Sequence, residues 1–533
     1  MKNTLFCLLT ILWVGVCAQA PSSSTLQLLG TRSWIRIDLE GLAEHAGGYR
    51  LFWSLNGQRP DEPNAVLDKD QSRYYIQDIK PETTYHVWIE PYNSTETLGT
   101  VTGKVFTEKN WRLVPEELEE LTTNPGSKAV PEGMQLFWHD EFNDLLLNRN
   151  KWFTNYYSSI DHLRGEFEKD MREGNLPEAA YTLNGKTIDI FVNDFLPEKV
   201  YDKKSGKKIS SIQTYNWRTD ENLLDNSRGG YFEARVKRSS TGKPSGLNTA
   251  FWFDSPGPDL RYYLEEGTTL NGVKGIRPKG QVFEIDIFEY LNAQFVLHGH
   301  VDKNGQFQHN LATHIAKGYK HVDNWVTHGI LWTPNSIKHY INGDLIREYT
   351  DKHQIYSPNH FMNVLLGSYG GGGSVHMEVD YIRGYQWPLN DGNELPNPGF
   401  EESGSLLPWE GTGELRNGAG RNESKAVLLK PGQAVEQYVY LNNNTAYKLE
   451  YWIKGKGSVK TGIDNITLVT GEPGQIVSRE NRGKGKYTGK SIDFRTGEEF
   501  GDHMKTVRIS ISNEGDKDVL LDDITVKKRA SED

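Results

Sequence analysis

The segment Gln281–Tyr290, QVFEIDIFEY, leaves a folding chain few choices. Ile285, Ile287 and Phe288 stand among three carboxylates, Glu284, Asp286 and Glu289, and β-branched and aromatic residues at that density favour a strand. Successive side chains of a strand point to opposite faces, so Glu284 and Asp286 share one face. Glu289, five residues after Glu284, would point the other way in a regular strand. One inserted residue, a β-bulge, realigns it, and bulges re-aim side chains beside active sites. The spacing therefore predicts a strand anchored by Ile285 and by one of Ile287 or Phe288, with three acidic groups on its other face. Like charges so placed repel one another, and folding alone supplies no reason for them. Cleaving a glycosidic bond does, because it needs two carboxyl groups in different protonation states on either side of the bond. Taken alone, the spacing also fits a plain acidic strand face turned to water.

The flanking sequence separates these readings. The acidic segment resembles the active-site strand of glycoside hydrolase family 16, in the members with a bulged E-x-D-x-x-E pattern. Further matches stand in the family's order: WHDEF at Trp138–Phe142, GYFEARVK at Gly230–Lys237, AFW at Ala250–Trp252, the run Trp325–Asp344, and MEVDYIR at Met377–Arg383. The resemblance covers about half the chain, from Gly133 to Pro388. It implies an all-β fold, a jelly-roll sandwich in which the acidic strand curves concave toward a cleft. It also implies a retaining reaction, in which Glu284 is the nucleophile, Glu289 the acid/base, and Asp286 orients one of them. Spacing does not yield that outcome: Glu284 and Glu289 lie about four strand steps apart, near ~13 Å between Cα atoms, and only curvature brings their carboxyls to ~5–5.5 Å.

Two more positions enter as substrate-binding candidates. Trp252, on the strand pattern just before the motif, suits a sugar-stacking ring as well as a core residue. His314 matches a strand histidine that many family members place near the carboxylates. Arg235 is expected in a structural ion pair. The sequence holds 15 histidines but no H-E-x-x-H or comparable spacing, so no catalytic metal or other cofactor is expected.

At 533 residues the chain exceeds what one core sustains. Met1 to Ala18 has the charged start, apolar middle and small-residue end of a secretory signal. Cys7 and Cys17 are the chain's two cysteines and both fall inside this segment, so the exported chain is expected to lack disulfides. A lipid anchor on Cys17 is disfavoured by the bulk of Val16. Residues 21–108 alternate as short strands between turn-rich pieces. Ile79 to Asn93 resembles the tyrosine-corner strand of fibronectin type III domains, with Tyr85 at the corner and Trp53 and Trp88 expected in the core. Residues 109–132 read as a linker, with a helical turn or two at Pro115–Leu121. The catalytic segment 133–388 carries two inserts expected to wall the cleft, Ser158–Gly185 with a short helix near Phe167–Arg172, and Ser255–Gly280. Residues 389–530 resemble a jelly-roll carbohydrate-binding module, tethered and dispensable for small substrates. Glu401 and Asp523 within it are candidate oxygen ligands of a structural calcium.

The net charge of −11 argues against nucleic acid or an anionic membrane as bulk partner. The expected partner is a polysaccharide, met by a secreted or cell-surface monomer without a membrane span. The departures from the family bear on which polysaccharide. β-1,3-Glucanase members carry a Trp-Pro pair before A-F-W and before the acidic strand, whereas this chain has LNTAFW at Leu247–Trp252 and KGQVFE at Lys279–Glu284. That form is closer to the members cutting agar, porphyran or carrageenan galactans, and Arg261, Lys274, Arg277 and Lys279 would suit sulfate. A laminarinase-like endo-β-1,3-glucanase, a transglycosylase and a non-catalytic β-glycan-binding protein are the alternatives. The last is disfavoured by intact carboxylates.

Overall fold

The computed structural model describes residues 26–107 and 128–529 apart from short breaks, the longest at 197–207, 257–262, 467–472 and 498–503. The signal-like segment, both cysteines, the Pro115–Leu121 turn, and Arg261, Arg277 and Lys279 lie outside the described residues. The chain divides into two compact units, Met1–Trp111 and Arg112–Asp533. Among the described residues, no helix is long and apolar enough to cross a membrane.

The first unit is built of a three-stranded and a five-stranded sheet. Alternating residues of its strands, Ile35, Ile37, Leu51, Val87 and Ile89, are fully buried between them. Tyr85 occupies a corner, where its hydroxyl accepts the Lys80 N–H at 2.9 Å. Trp53 packs against the core as expected, but Trp88 does not. On Thr84–Asn93 the buried positions are Tyr85, Val87, Ile89 and Pro91, so alternation turns Trp88 outward, where it stacks on His86.

In the second unit, seven strands frame the acidic segment: β1 (Gly230–Asp254), β2 (Glu284–Glu289), β3 (Gln294–His298), β4 (Asn310–Ile315), β5 (Trp325–Thr333), β6 (Ser336–Ile341) and β7 (Asn363–Gln386). They belong to one 12-stranded antiparallel sheet folded over on itself. β1 and β7 run side by side for almost their whole length, Tyr231 opposite Tyr385 at one end and Asp254 opposite Asn363 at the other. Both bend midway, β1 at register shifts between Gly242 and Asn248, β7 in the run Gly370–Gly373. At Gly373 φ is +153°, and a Cβ there would lie 2.3 Å from Thr241 O, so only glycine fits. Beyond the bend, β1 pairs with β2, which continues into β3 and β4; before it, β1 pairs with β5. The two layers meet through aromatic side chains, with Phe253 edge-on to Phe232 at 5.3 Å and Phe288 4.4 Å from His328. This is the all-β jelly-roll architecture that the sequence implies.

The polar residues of the flanking motifs fix the back layer. Arg383 makes two bonds to Glu141, at 2.8 and 2.7 Å, Trp152 donates to Asp140 at 2.7 Å, and Arg235 pairs with Asp380. The C-terminal part, from Glu410 to Lys528, forms two five-stranded sheets around Tyr447, Leu449, Ile463, Ile509 and Leu521. It packs directly onto the back layer rather than hanging from a tether. Trp332 of β5, fully buried, donates to Pro358 O at 3.0 Å and faces the Tyr440 hydroxyl at 3.4 Å, while Asn359 donates to Met504 O at 2.7 Å. Glu401 and Asp523 converge on Gly399, where a Cβ would lie 3.8 Å from Glu401 Cγ and 3.5 Å from Asp523 Oδ1. Their outer oxygens already have partners, the Lys425 N–H and the Arg421 guanidinium.

Candidate active site

Strand β2 carries the predicted bulge. Against β1, Phe288 opposes Phe251 and Asp286 opposes Trp252, so Ile287 has no counterpart. Against β3, Asp286 opposes Val296 and Glu289 opposes Gln294, again with one residue in excess on β2. The insertion puts Glu289 on the face of Glu284 and Asp286, and all three line one open cleft of about 540 Å³. Ile285, Ile287 and Phe288 are all fully buried, so both bulge residues anchor the strand.

The cross-strand register builds the surroundings. Trp252 lies opposite Asp286 and Asp254 opposite Glu284, so both share the acidic face. Trp252 lines the cleft yet is only 7% exposed. It packs with Ile209, Ala250, Leu365 and Tyr369, and its indole N–H donates to the Tyr369 hydroxyl at 2.9 Å. It is at once cleft wall and core. The near insert contributes α1 (Ser159–Arg164) and α2 (Glu168–Glu173), and Asp161, Arg164 and Glu166 reach the cleft. Among the described residues, none of the Ser255–Gly280 insert lines it.

His314 is placed differently from the expectation. On β4 it lies opposite Phe295, one position off Val296, which faces Asp286. Alternation therefore sends it to the other side of the sheet, where it stacks on Phe295 and bonds Tyr349 at 2.9 Å and His339 at 3.0 Å. Burial lowers its pKa to about 4, so it is neutral there. The histidine beside the carboxylates is His298 of β3, opposite Glu284, with Nε2 3.3 Å from Asp286 Oδ2. A count across the hairpin could have found it: if Glu289 pairs with Gln294 and the bulge takes one residue, Glu284 falls opposite His298.

Burial sets the electrostatics. Glu284 is pushed well above the usual carboxylate range by desolvation, then by the negative charges of Asp286, Asp254 and Glu289. Glu289 is raised to about 8 by desolvation and by Asp286, against the opposing hydrogen bonds of Asn248 and Tyr290. Asp254, buried beneath Glu284, is raised to about 7 by desolvation and bonded by Ser159 N and Oγ, each at 3.0 Å. Three carboxyls this close cannot all ionise together near neutral pH. One therefore keeps a proton while another is free to act as an anion. Ligand atoms of Glu284, Asp286 and His298 lie within 4.8 Å of one another, near enough to approach one cation. The Asp286–His298 contact and the Glu284–Asp286 hydrogen bond account for that spacing.

Comparison with known proteins gives three kinds of likeness. Residues 269–384 match the family described as glycosyl hydrolases family 16. A keratan-sulfate endo-1,4-beta-galactosidase of Sphingobacterium multivorum is 25% identical over 238 residues, which cover 40% of this chain and 53% of the relative. The chain thus spans about half the length of that relative. Among solved structures, a GlcNAcα1-4Gal releasing endo-β-galactosidase of Clostridium perfringens is 17% identical, covering 60% of this chain and 77% of the other, with a TM-score of 0.36. An endo-beta-1,3-glucanase of Pyrococcus furiosus is 20% identical, covering 48% of this chain and 96% of the other, with a TM-score of 0.33.

Proposed function

This chain belongs to glycosyl hydrolase family 16, and from that premise we propose that it is a secreted, endo-acting, retaining glycosidase that cuts β-galactosidic bonds inside a polysaccharide. The observation that carries the reading is the bulge at Ile287, because it gathers Glu284, Asp286 and Glu289 on one cleft wall at an energetic cost that folding does not explain.

Each group has a role that its surroundings support. Burial raises both carboxyls and their mutual repulsion keeps them from ionising together, so in the reactive state Glu284 is the anion that attacks the anomeric carbon while Glu289 holds the proton and passes it to the departing oxygen. The bond from sugar to leaving group breaks as the bond from sugar to Glu284 forms. Water then enters from the side the leaving group vacated. Glu289 takes its proton, and the oxygen displaces Glu284. Two inversions return the starting configuration. Asp286, hydrogen-bonded toward Glu284 and paired with His298, orients the nucleophile. Trp252 and Tyr369 offer flat apolar rings at the cleft wall, the kind of surface on which a pyranose packs.

The galactan reading rests on the absence of both Trp-Pro pairs and on the endo-β-galactosidase named above, which also admits a keratan-type chain beside agar, porphyran and carrageenan. The full chain should be incubated with agarose, porphyran, κ-carrageenan, keratan sulfate, laminarin and mixed-linkage glucan, and its products sized. Internal cleavage of a galactose-containing polymer alone is expected. Cleavage of laminarin alone would replace galactan by glucan, and tight binding with no cleavage of any polymer would remove the enzymatic reading. Proton NMR of the first product tests retention, which initial release of the α-anomer would overturn.

A further inference from the structure

The bulge that brings Glu289 onto the cleft wall also interrupts the backbone ladder beneath it, so something other than strand pairing must hold this side chain. Glu289 ends β2, and Tyr290 follows in the left-handed region with φ +60°. A bulky residue in that region needs support from its surroundings. The support comes from β1. Asn248, 8% exposed, donates from its amide nitrogen to Glu289 Oε1 at 2.9 Å, while its amide oxygen accepts the Tyr290 N–H. A main-chain N–H can only donate, so the amide cannot turn over, and the group facing Glu289 must be its NH2. From behind, Arg238 Nη1 donates to the Tyr290 carbonyl at 2.8 Å, and its guanidinium lies 4.5 Å from the centre of the Phe288 ring. Both main-chain polar groups of Tyr290 are thus held by side chains of one neighbouring strand.

Resting on the acid/base reading of Glu289, we propose that Asn248 is its positioning residue, fixing the direction of the carboxyl and steadying its ionised form, with Arg238 anchoring the junction from behind. The role suits a group that must work twice. Glu289 gives its proton to the leaving oxygen in the first step and must stay aimed, as an anion, at the incoming water in the second. A donor that cannot rotate away serves the second state without blocking the first, because Asn248 engages Oε1 and the proton can sit on the other oxygen.

The ionisable surroundings are these. On β2, Asp286 raises the Glu289 pKa and Glu284 shares the cleft wall with it; on β3, Gln294 stands opposite it and His298 is paired to Asp286. The Tyr290 side chain bonds Glu289, Asp254 of β1 faces Glu284, and Asp161, Arg164 and Glu166 line the far wall. Arg238 lies on the opposite face of the sheet, against Phe288. Within this set, Asn248 and Tyr290 are the groups that lower the Glu289 pKa against burial.

The test is a titration that needs no substrate. Full-length protein labelled with ¹³C at the glutamate carboxyl is followed by NMR across pH, with the Glu289 signal assigned from Glu289→Gln. In Asn248→Ala the midpoint should move up by about one pH unit, the size of one hydrogen bond to a charged group. The basic limb of kcat/KM on agarose or keratan oligosaccharides should follow it, with kcat reduced at least about tenfold. Asn248→Leu, of similar size, serves where the alanine variant does not fold. A folded variant with lower thermal stability but an unmoved Glu289 midpoint would overturn the proposal and leave Asn248 a structural residue. Failure of the underlying reading looks different: Glu289→Gln would then keep its activity whatever Asn248 does.

Discussion

Each carboxyl in the cleft owes its chemistry to what lies beside it, and three variants separate those contributions. Glu284→Gln keeps the shape and removes the proposed nucleophile, so turnover should fall about a thousandfold or more with the fold intact, as circular dichroism would show. Full turnover by a folded variant would remove Glu284 from the mechanism. In its proposed role as acid Glu289 must be protonated, and burial and Asp286 raise its pKa to about 8, so kcat/KM should fall as pH rises past that value. Asp254 gives a stability effect of defined sign. Its folded pKa, about 7, lies above the unfolded carboxylate value of 3.8, so the stability it contributes is present at acid pH and is lost as pH rises through 7. Asp254→Asn should therefore raise the melting temperature at pH 8 relative to wild type, by a free energy on the order of 1 kcal/mol or more, and change it less at pH 5. A wild-type-like melting temperature at both would show that the carboxyl is not ionised at the cost assigned to it. At this scale the sequence was only partly legible. Glu284, Asp286 and Glu289 were readable because three charges on one strand have no folding rationale. His298 was not, because a histidine directly after the apolar run Phe295–Leu297 looks like the end of a core strand until the hairpin register is counted. His314 misled for the same reason: a shift of one position on a neighbouring strand exchanges the faces.

Among the elements, the bulge in β2 is the one on which the site depends. Deleting Ile287 would restore a regular strand and carry Glu289 to the buried face, where an unpaired carboxyl costs several kcal/mol. The expected outcome is loss of activity together with a lowered melting temperature, whereas Ile287→Val should keep both within a small margin because the inserted position remains. An active deletion variant would show that the register is not what aligns the carboxyls. The sequence announced this bulge through a parity conflict between positions 286 and 289, a signal that survives without any knowledge of the fold. It announced a corner at Tyr85 but not that the same device recurs. In the C-terminal sheets the Tyr447 hydroxyl accepts the Asn442 N–H at 2.9 Å, as Tyr85 accepts from Lys80 in the first unit. A threonine completes each corner: Thr496 bonds Thr445 N and Asn442 O, and Thr107 bonds Thr83 N and Lys80 O. The local patterns, KPETTY and NNNTAY, share only Thr-x-Tyr and the spacing, and each threonine partner lies on a strand or loop remote in sequence. Tyr447→Phe leaves the ring buried and strands one main-chain N–H, which should cost about 1–3 kcal/mol in chemical denaturation.

For the whole molecule, composition and patterning divided the chain into β-rich segments but could not reveal how the last segment is attached. A run of turn-forming residues after Leu389 reads as the start of an independent module, because nothing local distinguishes a tether from a short docked crossing. The distinction lies in residues distant from one another: Trp332 on β5 and Tyr440, Asn359 and Met504, and Asn335 with Glu410. Trp332 is fully buried, as is Met362, close in sequence to Asn359, whereas Tyr440 is 5% exposed, so the contact is dry at its centre. Removing residues 389–533 would uncover Trp332 and leave Asn359 without its partner across the boundary. An aromatic side chain returned to water costs ~1.5–3 kcal/mol, and an exposed apolar patch promotes association. The truncated chain is therefore expected to melt lower and aggregate at concentrations where the full chain stays dispersed, and to lose activity on short soluble oligosaccharides as well as on polymer. Light scattering, a thermal melt and assays on both substrates decide the matter. A truncated protein that stays dispersed, melts as the full chain does and keeps its rate on oligosaccharides would restore the picture of a tethered module, in which effective concentration on the polymer is all that the C-terminal sandwich contributes.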